Sequence, residues 1–324
     1  MLHASIAIAL LALIVWKTGI GDVRRVLSDV DPRLLVAVIA LNVPIALLFP
    51  LRAHFVLQRL GARVRPSVLV PAAILGNVAG SLTPASSGEL LRTAVLRSHA
   101  NLPVDDGLAL VLYERALSVW IMAAGTAIVA AFVALARTQA IAVAGVVAIL
   151  ALLPAVGPWL LDLLPDAGGD EDRAGMLRSL VRRIQRVSSR LQLLLNDRAL
   201  LAGWSLLTSA IFALTTLQLW LLARSVSHAI RPEEAWTAYG ASQLAGIASL
   251  LPLGLGAADG SLAALLRRMG TTFEQGTVVA ILVRATMTLP LGLLAVASYL
   301  YLARMPETPA AEARQSLDAS LDHR

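Results

Sequence analysis

Six stretches of this sequence, each about 20 residues long and mostly apolar, restrict the folds open to the chain. A membrane core holds no water, so a crossing segment must pair its backbone groups internally, and a helix of about 20 residues does so. The chain is 57% apolar and 15% charged, whereas soluble domains are about 45–50% apolar and about 25% charged. We therefore predict an all-α polytopic membrane protein. Its full spans are residues 3–20, 34–57, 107–135, 139–162, 199–223 and 276–303.

Two further apolar regions, residues 67–98 and 234–268, are interrupted. Each holds a short apolar run, a Pro/Gly break and a second short run that carries charge. Neither half is long or apolar enough for a full crossing. We predict two re-entrant or broken-helix hairpins, which a membrane tolerates where the unpaired backbone is buried in protein or lines a wet cavity.

The arginines predict the orientation of the chain. Residues 163–198 carry seven of them, which assigns this segment to the cytoplasm and, by alternation, both termini as well. Within it, one helical face is apolar and the other basic, which indicates an amphipathic helix on the inner leaflet, either recruiting anionic lipid or serving as a surface linker. The sequence thus predicts one membrane domain, residues 1–303, and a disordered cytoplasmic tail, residues 304–324.

Several functional classes find no support in the sequence. There is no cysteine, and the five histidines lack metal-ligand spacing, so neither a metal site nor a cofactor is predicted. No nucleotide-binding loop is present. The net charge is +6, and the basic residues lie between apolar segments. There they indicate the orientation of the chain in the membrane and contact with anionic lipid, rather than binding of nucleic acid. We expect a protein that is not an enzyme.

The two hairpins resemble each other. Pro84 is followed four residues later by Gly88, and Pro252 is followed four residues later by Gly256. A helix with an inward-facing arginine follows each break, at Arg115 and 169 positions later at Arg284. We therefore predict an inverted repeat with halves at about 34–135 and 199–303, joined by the basic segment. Broken helices in such repeats flank midplane sites.

The breaks predict a polar cavity. Proline donates no backbone hydrogen bond and glycine permits a reversal, so helix N-termini near Ser87 and Gly256 would direct free N–H groups at an anion. Charged side chains are costly in lipid. The predicted headgroup-contacting or gating residues are Glu89, Arg92, Glu114, Arg115, Asp259 and Arg284.

Pairing of these charges offers a structural alternative. Glu89 and Arg92 are three residues apart and can neutralise each other on one helix face. Asp259 is the expected partner of Arg284. Arg52, near the end of its span, is expected to extend to the membrane interface. In this alternative the charges only lock the hairpins together.

The motifs resemble those of the integral-membrane domain of lysylphosphatidylglycerol synthases, a family also called flippase-like. The first has the form L-P-x-x-x-G-E-x-x-R, here Leu82 to Arg92 with Thr83 before Pro84 where a Leu is usual. Glu114 and Arg115 match a following Glu-Arg pair. The second, near L-P-G-G-L-G-x-x-E, runs from Leu251 to Asp259, with Leu253 for a Gly and Asp259 for the Glu.

The resemblance implies a lipid-related function. Only the tail follows the last span, so lipid translocation is implied rather than headgroup aminoacylation. We expect a flippase or scramblase for an anionic or zwitterionic lipid, such as a phospholipid or a polyprenyl- or hopanoid-linked lipid, in a bacterial or archaeal cytoplasmic membrane. The alternatives are a headgroup-modifying enzyme and a non-catalytic partner or regulator of a lipid-modifying or envelope complex. Homo-oligomerisation stays open.

Overall fold

A computed structural model describes residues 31–134, 174–226 and 230–306, and every regular element in these ranges is a helix. The predicted spans 3–20 and 139–162 and nearly all of the tail lie outside them. The elements are α1 (Pro32–Arg59), α2 (Pro66–Leu82), a 3₁₀ turn (Pro84–Glu89), α3 (Leu90–Ala100), α4 (Val104–Ala134), α5 (Ala174–Leu195), α6 (Arg198–Val226), α7 (Pro232–Ala248), a 3₁₀ turn (Pro252–Gly254), α8 (Ala257–Arg268), α9 (Phe273–Val283), a π segment (Arg284–Thr288) and α10 (Leu289–Leu302).

Four helices in the described ranges are long and apolar enough to cross a membrane. They are Pro32–Arg59, Val104–Phe132, Arg198–Val226 and Phe273–Leu302, and each contains one predicted span almost completely. Large apolar side chains point outward from all four, including Val36, Phe132, Leu206 and Leu293, each more than 60% exposed. Such surfaces suit contact with lipid. The protein is a multi-pass helical membrane protein.

Helices α1 and α6 form the antiparallel centre of the bundle. Near one end, the Gln218 side-chain amide donates to the Val38 carbonyl over 2.8 Å. At the other end, Arg59 and Asp197 form an ion pair with an Nε–Oδ2 distance of 2.6 Å. These contacts fix which ends of the two helices lie together, and thereby the positions of the segments that follow them.

Both interrupted regions are broken-helix hairpins, as predicted, and they start from opposite ends of this central pair. The first, α2 to α3, follows the Arg59 end of α1, and His99 near its close lies 3.3 Å from the Leu302 carbonyl. The second, α7 to α8, follows the far end of α6, where Trp220 donates to the Ile230 carbonyl over 3.1 Å.

The hairpins pack in matching ways. The α2 helix of the first hairpin packs on α10, where Ile74 and Leu75 share a core with Ala295. The α7 helix of the second packs on α4, where Trp236 covers Gly125. Each hairpin therefore contacts a long helix from the other part of the chain.

The π segment interrupts the last crossing helix beside α1. Pro290, just after this segment, has no N–H that could donate a hydrogen bond to the preceding turn of the helix. The Asn42 side-chain amide donates to the Thr286 carbonyl over 2.7 Å. A side chain from α1 thus satisfies a backbone group at the irregularity, and the irregularity lies where Arg284 begins the segment.

The basic helix α5 packs against the bundle. Val187 and Leu194 are buried, and Arg186 forms an ion pair with Asp105 at the start of α4, with an Nε–Oδ2 distance of 2.6 Å. Arg190 pairs in the same way with Asp106 over 2.8 Å. At least two of the arginines expected to contact anionic lipid therefore bind carboxylates of the protein itself.

Candidate functional site: a charged cavity between the hairpins

A cavity of about 580 Å³ lies between the two hairpins and the long helices. All six charged residues predicted from the sequence line it: Glu89, Arg92, Glu114, Arg115, Asp259 and Arg284. They come from α3, α4, α8, the first 3₁₀ turn and the π segment. The fold thus brings together in one cavity residues that lie up to 195 positions apart in sequence.

The ion pairs in the first hairpin differ from the predicted one. Arg92 pairs with Glu114 of α4, with an Nη1–Oε2 distance of 2.6 Å, and Glu89 pairs with Arg115 over 3.6 Å. The expected Glu89–Arg92 pair is therefore wrong. Adjacent residues on α4 point about 100° apart, so Glu114 and Arg115 reach different residues of the hairpin. Both charged residues of the hairpin therefore form ion pairs with α4.

Two glycines of α2 permit this arrangement. A Cβ atom on Gly80 would lie 2.4 Å from the Glu89 Cγ, and one on Gly76 would lie 2.6 Å from the Arg92 Cβ. These glycines are four residues apart and therefore share one face of α2. Because these positions carry no side chain, the return segment of the hairpin, residues 84–100, packs directly against α2 with Glu89 and Arg92 at the contact.

The second hairpin forms the pair that the sequence predicted. Arg284 donates from Nε and Nη2 to the two carboxylate oxygens of Asp259, over 2.9 Å and 3.1 Å. Its Nη2 also donates to the Leu253 carbonyl over 2.9 Å. Leu253 has a φ of +55°, a left-handed conformation that glycine adopts more readily. Arg284 thus binds both the carboxylate of the second hairpin and the backbone at the point where this hairpin breaks.

The break glycines do not offer free N–H groups to a ligand. The Gly88 N–H donates to the Thr83 hydroxyl over 2.6 Å, and the Gly256 N–H donates to Asp259 over 3.0 Å. The expectation of a free N–H group is therefore wrong for these two glycines, because side chains of the protein already accept both hydrogen bonds. Pro84 and Pro252 do begin the 3₁₀ turns at which the hairpins break.

Arg52 is a cavity residue that the sequence reading assigned to the membrane interface. Its side chain lines the cavity and is buried, with 6% exposure. It donates to the Thr208 hydroxyl over 3.1 Å and lies over the Trp204 ring, 4.9 Å from the centroid. The interface prediction is wrong because α6 supplies a buried polar contact. The signal was a charge inside a predicted span, which favours a functional position.

The size and the lining of the cavity suit it to binding a polar group. Within the described ranges no group of three His, Asp or Glu residues is placed to hold a metal ion. Its volume lies within the ~300–1,000 Å³ typical of ligand pockets. Apolar side chains, including Ile45 and Leu291, line other parts of the wall.

The fold and the cavity define a multi-pass helical membrane protein with a charged internal site. The family described as the lysylphosphatidylglycerol synthase TM region matches residues 1–295, and the chain belongs to this family. This membership indicates a function related to membrane lipids. A comparison with curated proteins gives no match.

Proposed function

We propose that the protein is a flippase or scramblase that moves a polar lipid across the membrane. The headgroup passes through the charged cavity while the acyl chains stay in the bilayer. The observation that carries this proposal is the convergence on one cavity of four arginines and three carboxylates, which come from both hairpins, from α1 and α4, and from the π segment. Charges inside a membrane protein are costly and mark pathways for polar substrates.

An inverted repeat is part of the proposal. The hairpins start from opposite ends of the α1–α6 pair. In each half of the chain, the first helix of the hairpin packs on the last crossing helix of the other half: α2 packs on α10, and α7 packs on α4. Broken hairpins related in this way flank midplane sites in transporters. With residues 3–20 and 139–162 as further spans, the chain has six crossings and cytoplasmic termini, in the cytoplasmic membrane of a bacterium or archaeon.

The ion pairs support different roles within this pathway. The Arg92–Glu114 pair is buried and short, whereas Arg115 is 37% exposed and lies 3.6 Å from Glu89. A loosely paired arginine that is partly exposed can exchange its partner for a headgroup at low cost. We assign Arg115 and Glu89 to substrate contact, and Arg92 and Glu114 to holding the hairpin against α4.

Proteoliposomes with headgroup-labelled lipids and an impermeant quencher test the proposal. Wild-type protein should make inner-leaflet label accessible to the quencher, and Arg115→Gln should slow this step. Arg268→Gln is the matched control, because Arg268 is exposed and lies outside the cavity. It should transport at the wild-type rate.

Failure of the wild type to move any lipid in a panel of anionic, zwitterionic and polyprenyl-linked lipids would refute the proposal. The alternative, a non-catalytic partner of a lipid-modifying complex, would then be tested by co-purification from the native membrane. Equal translocation rates for wild type and Arg115→Gln would leave the transport function supported but would show that Arg115 does not contact the substrate on its path.

A further inference from the structure

The charges that line the cavity do not balance. Arg92 pairs with Glu114, Arg115 with Glu89, and Arg284 with Asp259. Arg52 is the fourth arginine on the wall, and among the described residues no carboxylate lies within ion-pair distance of it. One positive charge is therefore left without a direct partner, and it belongs to a side chain that is only 6% exposed.

Neutral groups surround Arg52 instead. Its Nη1 donates to the Thr208 hydroxyl over 3.1 Å and lies 3.4 Å from the Ser118 hydroxyl. The Trp204 and Phe49 rings flank the guanidinium at 4.9 Å and 5.4 Å from their centroids. Aromatic faces hold a cation in place, but neither rings nor hydroxyls supply a negative charge. A buried charge without an ionic partner destabilises a fold.

Further donors on the same wall are also unsatisfied. Within the described part of the chain, the Arg52 Nε and the Arg92 Nε and Nη2 have no hydrogen-bond partner. A hydroxyl that accepts from an arginine keeps its own hydrogen to donate. The Ser118 and Thr208 hydroxyls therefore add donors beside the unpaired cation, and both residues line the cavity.

We propose that Arg52, Ser118 and Thr208 form a subsite for a singly charged phosphate group. Arginine and hydroxyl donors recognise the oxygens of phosphate, and a guanidinium binds them through two N–H groups. One monoanion would balance the single excess charge of the cavity. The ligand is a phosphodiester of a lipid headgroup or a free phosphate ion, and the lipid form rests on the transport function proposed above.

The subsite predicts a preference among headgroups. A headgroup with one net negative charge neutralises the cavity. A zwitterionic headgroup brings a cation as well, and each of the three carboxylates there already has an arginine partner. The protein should therefore bind anionic lipid more tightly than zwitterionic lipid.

Binding to purified protein in detergent micelles tests this without any transport step. Phosphatidylglycerol and phosphatidylcholine are titrated separately, and the ratio of their affinities is compared between wild type and Arg52→Met. We expect the wild type to favour the anionic lipid by about tenfold, the value of one good charged hydrogen bond. Arg52→Met should reduce the ratio to about one, whereas Arg268→Gln should leave it unchanged.

Thermal unfolding separates a ligand site from a structural cation. Removal of an unpaired buried charge should leave the unfolding temperature equal or higher, because the methionine replaces it with apolar volume. A lowered unfolding temperature with an unchanged lipid ratio would overturn the proposal. Should Arg52→Met fail to fold, the affinity ratio is measured instead in the double variant Ser118→Ala with Thr208→Val. An unchanged ratio in the double variant would equally overturn the subsite.

Two further arms identify the source of the phosphate and separate this inference from transport. Inorganic phosphate that stabilises wild type but not Arg52→Met, with no lipid preference, would assign the site to the free ion. Arg52-dependent lipid preference without transport would refute the transport function alone. Transport with the preference intact in Arg52→Met would refute the subsite alone.

Discussion

Arg92 and Glu114 form an ion pair with an Nη1–Oε2 distance of 2.6 Å, and each side chain is only 6% exposed. The pair joins the return helix of the first hairpin to a membrane-crossing helix. Removal of one member would leave the other charge buried alone, which costs far more than the pair itself contributes. The ion pair therefore fixes the position of the hairpin against α4, and its loss should lower the free energy of unfolding.

Glu114→Gln should lower the free energy of unfolding by about 3–5 kcal/mol, because the Arg92 guanidinium loses its counter-charge in a buried site. The double variant Arg92→Met with Glu114→Met should recover most of that loss. Denaturant unfolding in micelles, followed by tryptophan fluorescence, gives both values. If the single variant unfolds like the wild type, the pair does not hold the hairpin.

Arg115→Gln should lower stability by about 1 kcal/mol, well below the loss expected for Glu114→Gln, because Arg115 is 37% exposed and lies 3.6 Å from Glu89, so that only the loss of a weak contact to a buried acid is involved. The same variant should slow lipid translocation, as proposed above. The combination of near wild-type unfolding and slow transport is the expected result. A variant that loses several kcal/mol would instead assign the Glu89–Arg115 pair a structural role.

Asp259→Glu should fold and keep the Arg284 contact, because glutamate at the third position of a helix also caps the first turn. Asp259→Ala should cost about 3–5 kcal/mol, since Arg284 would be left partly buried without its acid. Unfolding in micelles compares the two variants. Equal losses for both would mean that the length of the aspartate side chain, rather than its charge, is what the site requires.

Gly80→Ala should destabilise the protein by about 1–3 kcal/mol, because the new methyl would overlap Glu89 and overpack the contact between α2 and the return segment. It should also slow transport by displacing Glu89 from Arg115. Gly203→Ala in α6 is the matched control, since a Cβ there meets nothing within 4 Å.

The control should stabilise its helix by up to about 1 kcal/mol, the usual gain when alanine replaces glycine within a helix. Both variants are measured by unfolding in micelles, and transport is measured alongside. Equal stability of Gly80→Ala and Gly203→Ala would show that α2 and the return segment can separate without cost.

Much of the site was predictable because its signals are local. Proline and glycine mark the breaks through their own backbone chemistry, and charges within apolar segments stand out at once. The Asp259–Arg284 pair was also predictable, since the predicted span that carries Arg284, residues 276–303, holds no acid and Asp259 lies in the hairpin before it. The Glu89–Arg92 pair failed because helix spacing says nothing about which acid on another helix lies nearer.

Arg52 shows where local reasoning ends. Its position near the end of a predicted span favoured extension to the interface, although a charge inside a span also fits a buried functional position. Its hydrogen-bond partner Thr208 lies 156 positions away, and the Trp204 ring comes from the same distant helix. Only the packing of α6 beside α1 decides that this arginine is buried.

The sequence by itself determined the membrane class, the four described crossings, the two broken hairpins and the set of six charges, because apolar length and Pro/Gly chemistry act within a few residues. Only the tertiary structure decided which charges pair, that the break glycines are already hydrogen-bonded, and that Arg52 has no acid partner among the described residues. Those outcomes depend on distances between helices far apart in the chain, and helix packing sets those distances.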